Sequence, residues 1–373
     1  MQTVYIDPWS PERGNDSLFD VSERPANRDQ LLLAWAFVRE ACAKEGIILK
    51  TADLMPDEGG RQVHYYCAYG QTKNWIRFSR RTDVRLLDLY ITEPPIASLE
   101  ETCYSCIPEC VKLFRHVHAV TYPDEIRSVY GFEVGGQIEH FFTPQAYSDV
   151  IDEYWQRRDR AMLCMVNSYG FAPAQNSYYY DERIRALDHL GTRMGVDLYG
   201  HRWNIMWETS AVARMRNVIG ALRHGKPAEL RRELFLSQKS KAVRRAYRGQ
   251  CTSKYDTLAG YWFAICYENS GVRGYISEKI FDCFFAGTIP IYLGAPDIAD
   301  YVPRDCFVDK RRFKSYTDLA GYLRSLSDTQ KESYRQAGRA FVASDAFRPF
   351  SKEYFAQRFI KYVRCGIDSY TEP

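Results

Sequence analysis

Nothing in these 373 residues approaches the ~20-residue apolar run that crosses a bilayer, and no signal peptide is read ahead of the first expected strand. The expectation is a cytoplasmic protein, with any membrane contact peripheral, at the inner membrane. Long blocks of like charge are missing too: 50 Lys and Arg face 47 Asp and Glu, a formal charge of +3. Nucleic acid is therefore a poor candidate partner. No internal repeat or low-complexity tract is evident. Cysteine is not scarce, but its eleven copies are odd in number, scattered, and mostly inside apolar runs, as at Cys266 and Cys283. Such thiols read as reduced and buried rather than as a disulfide framework. Cys103, Cys106 and Cys110 form the one local cluster. A metal there would need a fourth ligand from His116 or His118, and no metal site is assigned.

What is present points to an alternating α/β chain. The length exceeds what one hydrophobic core supports, so two domains of roughly 150 to 200 residues are expected. The 28 Tyr and seven Trp suit sugar faces and nucleobases, although packing accounts for most such rings. Thr3 to Ile6 reads as an opening strand, followed by a polar loop to about Asn27. Asn27 and Gln30 resemble a cap for a helix over Leu31 to Lys44, stopped by Gly46 before a strand at Ile47 to Lys50. Further strands are expected around Gln62 to Ala68, Leu86 to Ile91 and Ala119 to Tyr122, with a helix around Ser98 to Phe114. A charged helix from Asp149 to Arg160 is the expected connector. After it come strand Met162 to Asn167, helix Asp181 to Leu190 and strand Val196 to Gly200. The last helix, Lys352 to Arg364, has apolar residues at helical spacing. The expected division is 1–150, 151–348, and a C-terminal helix in 349–373 that packs back on the first domain or sits as an ordinary terminal core helix.

The most informative stretch is Tyr261 to Pro303. Tyr261 to Tyr267 is an apolar run of strand length, Ser277 can cap a helix that stops at Gly287, and Thr288 to Leu293 is β-rich again. The unit is βαβ, so its sheet is parallel. Lys279 falls in the first helical turn, where the macrodipole already presents positive charge. An anion nearby would offset this, and a diphosphate at the helix N-terminus is the simplest one.

Tyr267-Glu268-Asn269-Ser270, then Gly274 to Lys279 and Ala286 to Gly294, closely resemble the donor-binding signature of the α1,3/4-fucosyltransferases, glycosyltransferase family ten. The likeness is good from about Lys254 to Asp309, fair from Met162 to Leu190 and thin over the first 150 residues. It implies an α/β fold of GT-B type, two facing Rossmann-like domains with a cleft between them. It also implies inverting transfer of fucose from GDP-fucose to a glycan hydroxyl, with no required cofactor and a divalent metal at most stimulatory. The absence of an Asp-x-Asp pair at a strand end weakens a metal-dependent GT-A reading. By the same resemblance Lys279 meets the donor diphosphate, Glu278 the ribose and fucose hydroxyls, and Asn269 and Tyr275 line the nucleotide pocket. Arg183 would face the phosphates from the start of a helix, with Arg185 its nearest competitor. Glu93, in Leu89-Tyr90-Ile91-Thr92-Glu93-Pro94-Pro95, would be the general base, with Glu133 and Glu139 as rivals.

Each residue has a plainer reading. Glu278 can be a favourable first-turn acid, Asn269 a turn residue, Tyr275 a ring packed on the sheet, Arg183 a solvated surface cation and Glu93 a capping acid. The chain carries neither the N-terminal anchor and stem of many eukaryotic relatives nor the C-terminal heptads of some bacterial ones, so a compact bacterial or viral-type member is expected. Its partners would be GDP-fucose and an oligosaccharide or glycolipid acceptor, with LacNAc-like surface glycans as the family's suggestion. The alternatives are a GT-B transferase for another nucleotide sugar, or a silent sugar-nucleotide or glycan-binding protein.

Overall fold

The computed structural model describes residues 2–371 apart from 23–24, 59–61, 71–73, 95–105, 132–137, 171–178, 209–210 and 226. The chain divides into two compact units. The first joins Met1–Ser148 with Val272–Glu278 and Ala343–Pro373; the second comprises Asp149–Gly271 and Lys279–Val342.

Among the described residues the first unit holds six parallel strands: β1 (Gln2–Asp7), β2 (Ile47–Thr51), β3 (His64–Tyr69), β4 (Val84–Ile91), β5 (His116–Ala119) and β6 (Ile138–His140). Their order across the sheet is β2-β1-β3-β4-β5-β6. Helix Leu33–Lys44 begins two residues later than expected, and Asn27 Oδ1 accepts the Leu32 N–H at 2.9 Å ahead of it. Helix Lys352–Thr371 lies against helix Leu33–Lys44 and β4. Trp35 meets Phe355 and Phe359 edge-on there, at 5.7 and 5.9 Å between ring centroids.

The second unit has β7 (Ala161–Val166), β8 (Asp197–Tyr199), β9 (Tyr247–Gly249), β10 (Tyr261–Tyr267), β11 (Ile289–Leu293) and β12 (Val308–Asp309). Their order is β12-β11-β10-β7-β8-β9. Counted within the sheet this is 3-2-1-4-5-6, the doubly wound dinucleotide-binding arrangement, and its order reverses between β7 and β10. All of β11 is buried, as is β10 apart from partly exposed Trp262; both strands are covered on two faces, which explains their near-continuous apolar runs.

Three expected elements change. The connector helix over Asp149 to Arg160 is reduced to Asp152–Trp155. Trp155 is buried with its indole N–H on Phe284 O at 2.9 Å, and Arg160 leaves any helix to bind Tyr261 O and Gly287 O. The strand expected at Ala119 to Tyr122 is His116–Ala119, because a buried Asp88 gives both histidines a partner inside the sheet. The helix expected over Ser98 to Phe114 is Ile107–Leu113, its first half falling outside the described residues.

Candidate active site

In a sheet of this order, ligands bind outside the carboxyl ends of the strands flanking the reversal. For the second unit those are β7 and β10. Arg183, in the first turn of helix Tyr180–Met194, is 2 % exposed. Its Nη2 donates to Tyr267 O, the last residue of β10, at 2.7 Å and to Asn269 Oδ1 at 2.9 Å. The guanidinium also sits 4.9 Å from the Tyr180 ring centre. Arg183 is thus no solvated surface cation. Arg185, the competitor, is half-exposed and pairs with Glu182 at 3.1 Å.

Lys279 opens the next helix, Glu278–Ala286. Its Nζ lies 3.2 Å from Glu268 Oε2, and Glu268 is fully buried one residue beyond β10. The anion that the first-turn lysine calls for is therefore already present in the protein. Glu268 was visible in the motif, yet only the strand order reveals that its carboxylate reaches the helix start. Gly294, just after β11, is required by close approach: a Cβ there would fall 2.5 Å from Glu268 Cγ and 2.3 Å from Tyr292 Oη. Gly271 is held likewise beneath the Tyr179 hydroxyl, and Tyr179 N–H donates to Asn269 O at 3.3 Å.

A further cation on the same strand edge carried no sequence signal. Arg311 forks onto Asp309, the last residue of β12, at 2.9 and 3.0 Å, and reaches Ala295 O beyond β11 at 3.2 Å. Burial pushes its pKa down, but the Asp309 carboxylate outweighs that and holds it above the ordinary value. The carboxyl edge of the second sheet so carries Arg183, Lys279 and Arg311, with Asn269 between them in the chain. That arrangement can hold an anion with two phosphoryl groups.

The other expected residues, Glu93, Tyr275 and Glu278, belong to the first unit. Glu93 is half-buried two residues past the end of β4. Its neighbour Thr92 lies at a crowded strand edge. A Cβ on Gly70, whose φ is +85°, would meet Trp9 Cβ at 2.6 Å and Thr92 Oγ1 at 3.5 Å. Of the rivals, Glu139 is committed to Arg358 and Tyr362 of the C-terminal helix, while Glu133 lies outside the described residues. A carboxylate unremarked in the sequence, Asp7, closes β1, but it is buried and already accepts from Tyr66 Oη at 2.7 Å and Asn74 Nδ2 at 3.2 Å. Asp7 is thereby committed to the interior of its unit, whereas Glu93 is half-buried.

Tyr275 is buried, and the segment around it is strapped to the ends of β5 and β6. Thr121 Oγ1 donates to Arg273 O at 2.7 Å, His140 Nε2 lies 3.1 Å from Gly274 O, and Arg273 pairs with Asp124 and Glu125. Gly274 has φ +79°, and a Cβ would meet His140 Nε2 at 2.7 Å. Burial, and secondarily the charge of Glu278, raise the Tyr69 hydroxyl pKa. Among the proposed zinc ligands, Cys103 is outside the described residues, and His116 and His118 serve Asp88.

Residues 173–337 match the profile described as glycosyltransferase family 10 (fucosyltransferase), C-terminal part. That stretch is similar to the C-terminal part of family 10 glycosyltransferases. Arg183, Asn269, Glu268 and Lys279 all fall within it. The chain is 37% identical over 94 residues to an α-(1,3)-fucosyltransferase of Helicobacter pylori, covering 25% of this chain and 19% of that protein. It is 37% identical over 71 residues to an α-(1,4)-fucosyltransferase of Arabidopsis thaliana, covering 19% and 18%. The matched stretch is thus about a fifth of each relative's length. In three dimensions, a crystal structure of an α1,3-fucosyltransferase aligns over 97% of this chain and 90% of its own, with a TM-score of 0.51 and 12% identity. A glycosyltransferase from Rickettsia africae aligns over 98% of both chains, with a TM-score of 0.50 and 10% identity. At such identities the likeness is one of fold, and the fold around the matched stretch is of the GT-B type.

Proposed function

We propose that this protein transfers fucose from GDP-fucose to a hydroxyl of an acceptor glycan, inverting the anomeric carbon. The observation that carries the reading is the cationic edge at the β7–β10 reversal, where Arg183 and Lys279 are fixed by Tyr267, Glu268 and Asn269 inside the stretch matching family 10. Glu93 takes the proton of the acceptor hydroxyl as its oxygen bonds to the anomeric carbon, and the bond from that carbon to the diphosphate breaks on the opposite face. Positive charge lowers the barrier to that displacement by meeting the negative charge that develops on the departing phosphoryl oxygens. Lys279 and Arg183 supply the charge, so no metal is assigned a step and a divalent ion is at most stimulatory. Asn269 and Tyr275 line the nucleotide, and Glu278 meets its ribose and the fucose. The acceptor is an oligosaccharide or glycolipid ending in a GlcNAc-type unit, and the setting is the cytoplasm.

Thermal unfolding with excess nucleotide sugars tests the donor. A ligand at a hundred times its Kd adds about 2.7 kcal/mol to the native state, so GDP-fucose should raise the Tm by several degrees and UDP-sugars should leave it unchanged. A shift with UDP-sugars alone would transfer the reading to another GT-B enzyme. GDP release across an acceptor array, with linkage analysis of the product, then tests catalysis and inversion.

A further inference from the structure

The near-neutral charge of the whole chain conceals a local surplus. Residues 211–248 hold eleven of the 50 Lys and Arg but only two of the 47 Asp and Glu. They form two consecutive helices, Ala211–Arg223 and Pro227–Ala246, between β8 and β9. The second helix packs on helix Tyr180–Met194, and the first packs on the second, so helix Ala211–Arg223 is the outer layer of its unit. Ala221 faces inward at 3 % exposure.

Its opposite face is unusual for a surface helix. Met215, Ile219 and Leu222 are 60, 56 and 62 % exposed. Their spacing of four and three residues puts them in one stripe. Arg216 and Arg223, seven residues apart and both exposed, flank one side of it. Lys241, Arg244 and Arg245 are exposed on the adjoining helix, whereas Lys239 and Arg248 are answered by Asp188 and Asp197.

We propose that helix Ala211–Arg223 docks this protein on an anionic lipid surface, lying in the plane of the headgroups. The stripe enters the acyl boundary while the guanidinium groups meet lipid phosphates, the arrangement of an interfacial helix. A polyanion such as nucleic acid would use the cations and leave three large apolar side chains in water. Among the described residues no helix is long and apolar enough to cross a membrane, so the contact is in-plane. The proposal stands apart from the reaction assigned above.

Flotation of the full chain with vesicles tests it. Wild type should float at least tenfold more with phosphatidylcholine containing about a third phosphatidylglycerol than with phosphatidylcholine alone. Met215→Asp combined with Ile219→Asp, both at exposed positions, should abolish flotation without lowering the Tm, and Arg216→Glu with Arg223→Glu should reduce it several-fold. Equal flotation with both vesicles overturns the proposal. So does flotation undiminished by the aspartates, which would mean that charge alone is read. A wild-type dimer in gel filtration that dissociates on Ile219→Asp, with no vesicle binding, would assign the stripe to a second copy of the chain and also overturns it.

Discussion

Lys279, partly exposed, pairs with fully buried Glu268, Nζ to Oε2 3.2 Å, at the start of helix Glu278–Ala286. The pair explains how a lysine is tolerated in a helix's first turn before any ligand arrives. It also means that removing the lysine does two things at once. Lys279→Ala should lower GDP affinity by about 1.5 to 3 kcal/mol, as for a charge-assisted contact, and should destabilise the fold by about 1 to 3 kcal/mol, because the buried Glu268 carboxylate loses the cation 3.2 Å from it. Lys279→Met with Glu268→Gln should restore the stability and not the affinity. Denaturant titration and GDP calorimetry on both proteins separate the effects, and full GDP affinity in the double variant would remove Lys279 from the donor site.

Arg183 bridges a backbone carbonyl and a side-chain amide from one nitrogen, a geometry that a lysine cannot copy while keeping further planar donors for phosphate. Arg183→Lys should therefore keep the positive charge yet weaken GDP binding roughly tenfold or more, with about 1 to 3 kcal/mol lost from stability. Arg185→Lys, at an exposed pair with Glu182, should change neither measurably. Equal losses in the two variants would mean that charge alone matters at this helix start.

Glu93→Gln should reduce kcat by about two to four orders of magnitude, the range for a positioned general base, and leave GDP affinity untouched. Asp7→Asn is the matched control. Asp7 accepts hydrogen bonds from Tyr66 and Asn74, so its change should be seen in unfolding and not in the chemical step. Unchanged turnover in Glu93→Gln would return the base assignment to another carboxylate.

The unit from Tyr261 to Leu293 was legible almost to the residue because both its strands are buried within a parallel sheet, leaving an unbroken apolar signal between turn residues. Elsewhere tertiary contacts decided. His116 and His118 look like loop residues until Asp88 is placed across the strand pair; Arg160 looks helical until its carbonyl partners appear. Helix Pro227–Ala246 was not anticipated, since its basic residues mask the apolar positions that pack on helix Tyr180–Met194. In the site, Lys279, Arg183 and Asn269 stood in the motif, but Glu268 and Arg311 gain their roles only from strand order, which no local pattern contains.

Gly274 tests the strap that precedes helix Glu278–Ala286. Its φ of +79° and the 2.7 Å approach of a Cβ to His140 Nε2 make Gly274→Ala strained and crowded together. The substitution should cost about 1 to 3 kcal/mol, read by denaturant midpoint. His140→Ala with Gly274→Ala should recover the crowding part and leave the backbone part, whereas a neutral Gly274→Ala would show that the strap yields freely.

Asp88 offers a prediction with a defined sign. The carboxylate is fully buried in β4, with His118 Nε2 at 2.9 Å and His116 Nδ1 at 3.3 Å. Burial pushes its pKa up, yet the two histidines beside it, His118 hydrogen-bonded and His116 in close contact, together outweigh burial and hold it below the ordinary carboxylate value. A folded-state pKa below the unfolded one of about 3.9 means that the native state binds this proton less readily than the unfolded chain. The group's contribution is therefore present above about pH 4 and is lost as pH falls through the folded value. Asp88→Asn removes that contribution, so its stability deficit against wild type should be full at pH 6 and should shrink steadily as pH falls below about 4. Urea unfolding at matched ionic strength across pH 3 to 6 measures it. A deficit constant over that range would mean that Asp88 matters through shape alone and that the histidines do not hold its charge.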